Sequence, residues 1–247
     1  MSSLLTAARG AARTFARTAG ALALDAANGS LRAVEAVGDK VRGRESTPGV
    51  LRVHVVILSD ANGPLCRPED VRPALDRAGE VLEAEAGIRV RITGVDVITA
   101  PAPPEALDPR ANRGLLLDDI LGRTSFYLDH LPQRVLGLVG APVTVVVVRE
   151  ISGRTTGCSL GISADWVITQ ASLYDRAAEH SYDETVLAHE LGHALNLPHH
   201  RDRGNLMFPV SSPPKDLRGT ALSGWQAAIL QASRHVVPGV GRDTPAG

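Results

Sequence analysis

This chain has little of several things. Its 247 residues include two cysteines, two methionines and only 3% aromatics, so the core has to be built from Val, Leu, Ala and Ile. An apolar run of about 18 residues, the length that signals a membrane-spanning helix, is missing. The net charge is −1, so nothing points to a nucleic-acid surface. No secretory signal is expected, because the only candidate stretch, Ala19 to Ala27, is short and interrupted by Asp25. Two cysteines fit an oxidising or a reducing compartment. Cys66 and Cys158 either form one disulfide or stay as two free, buried thiols. A hydrophobic content of 44% is ordinary for a globular protein, and the length suits one domain of about 200 residues plus an extension.

What the chain does have is the run His189-Glu190-Leu191-Gly192-His193-Ala194-Leu195-Asn196-Leu197-Pro198-His199. On a helix, positions i and i+4 lie one turn apart on the same face, so His189 and His193 can point at one ion. Neutral imidazole is a good zinc ligand, and catalytic zinc takes three protein ligands plus water. Glu190 is offset from His189 by about 100° around the helix, out of the ligand position but within reach of that water. Zinc brings the water's pKa to about 7, where a carboxylate can take its proton. The third ligand, His199, requires the chain to leave the helix and return. Asn196 suits a left-handed residue at the helix end, and Pro198 forbids helix continuation. Ser181 and Glu184 have the spacing of a capping box, which predicts a helix over 182–195.

This segment resembles the metzincin zinc metallopeptidases, whose pattern is HExxHxxGxxH followed by a Met-turn. Here it reads HExxHxxNxxH, and Leu206-Met207-Phe208-Pro209 is similar to the Met-turn of the matrixin-type members. The resemblance implies one catalytic Zn2+ held by His189, His193 and His199, with Glu190 as the catalytic base. It implies that Met207 forms an apolar floor beneath the ion and that Phe208 and Pro209 border the pocket for the residue after the scissile bond. Two departures stand out. Asn196 replaces the family's usual glycine at the helix-end turn, a mild change because Asn tolerates positive φ. The residue after the third ligand is His200, a weaker candidate for the same ion. Phe208 has no hydroxyl, so an assisting tyrosine beside the methionine is not carried over. Asp-rich calcium loops are not apparent, and no calcium is expected.

The rest of the chain reads as α/β (α+β). Leu51–Leu58 suits a buried strand, Val71–Ala86 a helix ended by Gly87, and Ile88–Ile98 a second strand. Helical stretches fall within Leu115–Leu131. The valine-rich run Val143–Val148 suits a central strand covered on both faces. Gly157–Ile162 and Asp165–Gln170 read as two more strands, and a last helix falls near Ala221–His235. The order matches a metzincin-like catalytic domain, with a twisted, mostly parallel sheet, an active-site helix, a Met-turn and a C-terminal helix. The expected organisation is an Arg/Ala-rich extension over 1–48, the peptidase domain over 49–238 and a flexible tail over 239–247. The extension reads as an arm, a propeptide-like segment or a helix for a membrane surface, a partner or its own active site. By resemblance, Cys158, Ser159, Leu160, Gly161 and Ile162 form a rim strand that pairs with an extended substrate. The disulfide would tie the loop after the first strand to this rim. A cysteine-switch role for Cys66 is disfavoured because Cys66 follows the first catalytic strand. His54 reads as a packed or paired core residue, and His130, His180 and His235 as surface or capping residues.

The function these readings point to is a zinc-dependent endopeptidase acting on a peptide or protein substrate. Two alternatives belong to other classes. One is a metal-dependent endoribonuclease of the rRNA-maturation type, which also uses three histidines but needs neither Glu190 nor Met207. The other is a non-catalytic zinc-stabilised binding module. The resemblance implies a secreted or cell-surface setting, with a cytoplasmic one left open.

Overall fold

Strand β1 (Gly49–Asp60) is the axis of the molecule. It pairs in parallel with β3 (Ile88–Pro101) and with β4 (Val143–Val148). Two short strands, β2 (Gly63–Pro64) and β7 (Val236–Pro238), add antiparallel pairs at its two ends. Beyond β4 comes β6 (Trp166–Gln170), again parallel, and then β5 (Gly157–Ser159), antiparallel to β6. The order β2-β1-β4-β6-β5 leaves β5 at one end of the sheet. The computed structural model describes residues 19–21, 23–31, 48–109, 113–120, 124, 126–130, 139–151, 157–159, 165–177, 184–209 and 218–239. The long pairings are all parallel, so this is the mixed α/β fold with an open, mostly parallel sheet that the sequence led us to expect.

Successive strand residues face opposite sides of a sheet, and here each side has its own core. Val53, Val55, Ile57, Val143, Val145 and Val147 face helices α2 (Pro68–Ala86), α6 (Val186–Ala194) and α7 (Gly224–Ala232). Val56, Leu58, Val146 and Val148 face the small helices α3 (Pro104–Leu107), α4 (Arg113–Ile120) and α5 (Phe126–Asp129). The valine-rich β4, with Thr144 its one other residue, is buried along its whole length for this reason. Helix α2 presents Val71, Leu75, Ala78 and Leu82, one face at helical spacing, to the first core. It starts at Pro68, three residues before its first apolar position, because proline suits a first helical turn and Asp70 accepts the Arg67 N–H at 2.9 Å. Gly87 ends it with φ 63, as expected.

The helical stretches expected within Leu115–Leu131 are α4 and α5, the second begun where the Asp119 carboxylate accepts the Phe126 and Tyr127 N–H groups at 3.0 and 2.6 Å. Helix α7 is shorter than expected: Ser223 and Gln226 cap its start, and the chain leaves it to form β7. Of the expected rim, Leu160, Gly161 and Ile162 lie outside the described residues. Cys66 is a free thiol, so the bridge to Cys158 is not formed. Cys66 follows β2, while Cys158 is on β5, the third strand out from β1 on the β4 side. Burial pushes the Cys66 thiol up to about 12.

Within the N-terminal extension, residues 19–21 and 23–31 are helical and form α1. This helix is fastened to the last turn of α7. Asn28 donates its amide to the Ser233 and Val236 carbonyls at 2.7 and 3.2 Å, and Asp25 accepts the Arg234 N–H at 2.6 Å. Gly29 permits the approach, because a Cβ there would stand 3.0 Å from the Cβ of Ala232. Residues 1–18, 32–47 and 240–247 lie outside the described residues. No described helix is long and apolar enough to cross a membrane.

Candidate functional site

Helix α6 begins at Val186, four residues later than the capping-box spacing suggests. Glu184 lies in a turn, Thr185 is the N-cap, and Ser181 lies outside the described residues. The helix packs against α2, β5 and β6. Its interior face is apolar through Leu187, Ala188, Leu191 and Ala194, which leaves His189 and His193 on the side away from the sheet core.

The helix ends in a Schellman motif. Leu197 donates its N–H to the Gly192 carbonyl at 2.9 Å and Asn196 donates to the His193 carbonyl at 3.0 Å. Asn196 has φ 76, the only positive φ outside glycine among the described residues. The turn returns the chain so that His199 joins His189 and His193, their ligand atoms lying within 4.8 Å of one another. His200 is not in this group: its Nδ1 accepts the Asp202 N–H at 3.2 Å.

The imidazoles are oriented from behind. His189 Nδ1 donates to the Leu206 carbonyl and His193 Nδ1 to the Leu197 carbonyl, each at 2.7 Å. With the protons on Nδ1, both Nε2 lone pairs face inward, and they stand 3.2 Å apart. Two lone pairs converging at that distance repel unless a cation lies between them. Nitrogens sharing one zinc at about 2.0–2.1 Å would stand roughly 3.4 Å apart, so the donor set fits the ion. Burial first, and then the Arg218 guanidinium, holds His189 at about 2, and burial likewise lowers His193 and His199. All three are therefore neutral at pH 7, the form a metal requires.

The expected Met-turn sits behind the helix. Met207 is fully buried, and a Cβ on Gly192 would come within 2.6 Å of its Sδ. The turn is tied down on both sides: His200 donates its N–H to the Met207 carbonyl at 2.8 Å, and Leu206 donates to the Ala221 carbonyl at 3.0 Å. Asn205 and Gln226 exchange amide hydrogen bonds at 2.7 and 3.1 Å, joining the turn to α7. Phe208 is half-buried and Pro209 is exposed. Glu190 is 5% exposed on α6, beside the first ligand.

Several residues of this site carry no local sequence signal. Arg218, 7% exposed, is close enough to influence all three imidazoles. Asp25 reaches the Asn196 side chain at 3.1 Å. Its only trace in the sequence is that it interrupts an apolar stretch. His235, expected as a surface or capping residue, is fully buried just before β7, its Nδ1 donating to the Ala141 carbonyl at 2.8 Å. His54 is a paired core residue as expected, 3.0 Å from Asp96. His130 is half-buried, its Nδ1 donating to the Phe126 carbonyl at 2.6 Å, and His180 lies outside the described residues.

Residues 150–223, the segment holding this site, match the family model for matrixin. Among solved structures the chain is similar to metalloproteinase-II from Bacteroides fragilis, at 17% identity over 75% of this chain and 53% of that one, with a TM-score of 0.47. The chain thus spans about half the length of that relative. It is similar to archaemetzincin from Methanopyrus kandleri, at 20% identity over 74% of this chain and 94% of that one, with a TM-score of 0.47. A zinc-dependent peptidase from Methanocorpusculum labreanum shares 19% identity over 72% of this chain and 99% of that one, with a TM-score of 0.44. No curated protein matches in sequence. The matrixin match and the three-histidine group together support a metzincin-like, zinc-dependent peptidase.

Proposed function

We propose that the chain is a zinc-dependent endopeptidase in which Glu190 carries the proton. The observation that carries this reading is the inward convergence of three neutral imidazoles, two of them fixed by backbone carbonyls, with a buried carboxylate next to the first. His189, His193 and His199 would hold one zinc ion. When bound, the ion supplies Lewis-acid chemistry, acidifying water and polarising a carbonyl.

The chain's own groups do the rest. Glu190 accepts a proton from water at its carboxylate as the water adds to the peptide carbonyl, and then delivers it to the departing amine. Its burial keeps bulk water from competing for that proton. Met207 supports α6 from below and fixes the ligand spacing. Phe208 and Pro209 border the pocket for the residue following the cut. Strand β5, at the end of the sheet and beside α6, offers main-chain groups to an extended peptide, and Cys158 and Ser159 belong to this rim. Main-chain pairing of this kind accepts many sequences, which suits cleavage within a chain.

The test is a mixed peptide library incubated with the full chain and with Glu190→Gln, zinc content being measured on both. Glu190→Gln is expected to keep its zinc and to cut about 10²–10⁴-fold more slowly. Undiminished cleavage by Glu190→Gln would remove the mechanism. Zinc binding without cleavage by either chain would favour the binding-module reading.

A further inference from the structure

The turn after α6 does two things for the metal site. Its Leu197 carbonyl orients His193 at 2.7 Å, and its reversal brings His199 into the group. The turn depends on Asn196 holding a left-handed conformation, φ 76, which is disfavoured for any residue with a Cβ. Glycine would hold it without help. Asn196 has help from far away in sequence: its Nδ2 donates to Asp25 Oδ2 at 3.1 Å, across 171 residues. A carboxylate only accepts, so Asp25 also decides which way the amide faces.

Asp25 is itself fixed. It is 9% exposed, its Oδ1 accepts the Arg234 N–H at 2.6 Å, and the Arg234 guanidinium lies 3.7 Å from its Oδ2. Arg234 is fully buried and also donates to Asp165 at 2.7 Å, so the clamp is anchored in the sheet layer. Asn28, one turn along α1, holds the helix against α7 and β7.

We propose that Asp25 is a positioning residue for the metal site: through Asn196 it holds the turn that orients His193 and delivers His199. This rests on the zinc-site reading above. It makes α1 a working part of the domain, and loss of α1 weakens the metal site instead of uncovering it.

The test uses the full-length, metal-free chain titrated with cobalt(II), whose visible absorption band reports the number and arrangement of its ligands. The variants are Asp25→Ala, Asn196→Gly and the two combined, with near-ultraviolet circular dichroism confirming that each is folded. Asp25→Ala is expected to weaken cobalt binding about tenfold, the low end for a residue that orients a ligand, and to change the band. Asn196→Gly keeps the turn without the amide, so adding Asp25→Ala to it should have no further effect. If Asp25→Ala leaves affinity and band unchanged, or weakens binding equally in the Asn196→Gly background, Asp25 is merely an anchor for α7 and the proposal is overturned. If Asp25→Ala does not fold, the same-shaped Asp25→Asn is carried through the same cycle with the same expectations. A chain that binds cobalt no better than His193→Ala would instead sink the zinc-site reading, and this proposal with it.

Discussion

Gly192 stands inside α6 where its missing Cβ would be 2.6 Å from the Met207 Sδ and 3.3 Å from its Cε. Met207 is fully buried and has no solvent to retreat into. Gly192→Ala therefore sets two effects against each other. Alanine favours a helix interior by up to about 1 kcal/mol, while forcing a methyl into a filled core costs about 1–3 kcal/mol. The clash wins, and the melting temperature of Gly192→Ala is expected to fall by about 2–4 °C per kcal/mol lost. Thermal denaturation decides it, and a variant as stable as the parent would mean that Met207 is not seated under the helix. The glycine in this HExxH run thus has a packing reason: it admits the methionine.

At the scale of elements, the Met-turn is joined to α7 by one reciprocal pair of buried amides. Gln226→Leu would leave the Asn205 Nδ2 without its acceptor, at about 1–3 kcal/mol. The expected result is an earlier urea midpoint with an unchanged slope, and an unshifted midpoint would count against the pair. Elements of this kind differ in how plainly the sequence announces them. The three-histidine group was legible because a helix puts i and i+4 together and because Asn196 and Pro198 mark the following turn locally. Strand β4 was legible because a valine-rich run has one reading when both faces are covered. Strand β7 was not, since three residues carry no periodicity. The contact between Asp25 and Asn196 was not, since nothing local marks two residues 171 apart as neighbours. Whether Cys66 and Cys158 pair stayed open for the same reason: pairing two cysteines needs the strand order, which only the fold supplies.

For the whole molecule, the buried charges around His235 set a pH limit. Burial, with Arg234 beside it, holds this imidazole below its ordinary value, although Asp165 and Asp25 pull the other way. The unfolded chain takes up a proton there near pH 6.5, and the fold resists it. Stability from this residue is therefore full above about pH 6.5 and drains away as pH falls toward the folded value. In chelator, melting temperatures between about pH 7 and 5 should fall less steeply for His235→Gln than for the parent. Identical slopes would mean that this histidine is protonated equally in both states. His189, His193 and His199 are lowered too, so some slope remains in either chain.

The joining of α1 to α7 and β7 also bears on the order of synthesis. Asn28 and Asp25 bond residues 204 to 209 positions later, and β1 receives its last strand from Val236–Pro238. During synthesis α1 is made well over a hundred residues before these partners emerge. The turn carrying His199 is made before those partners. On the proposal above, the Asp25 clamp on Asn196 closes only once Arg234 has been made.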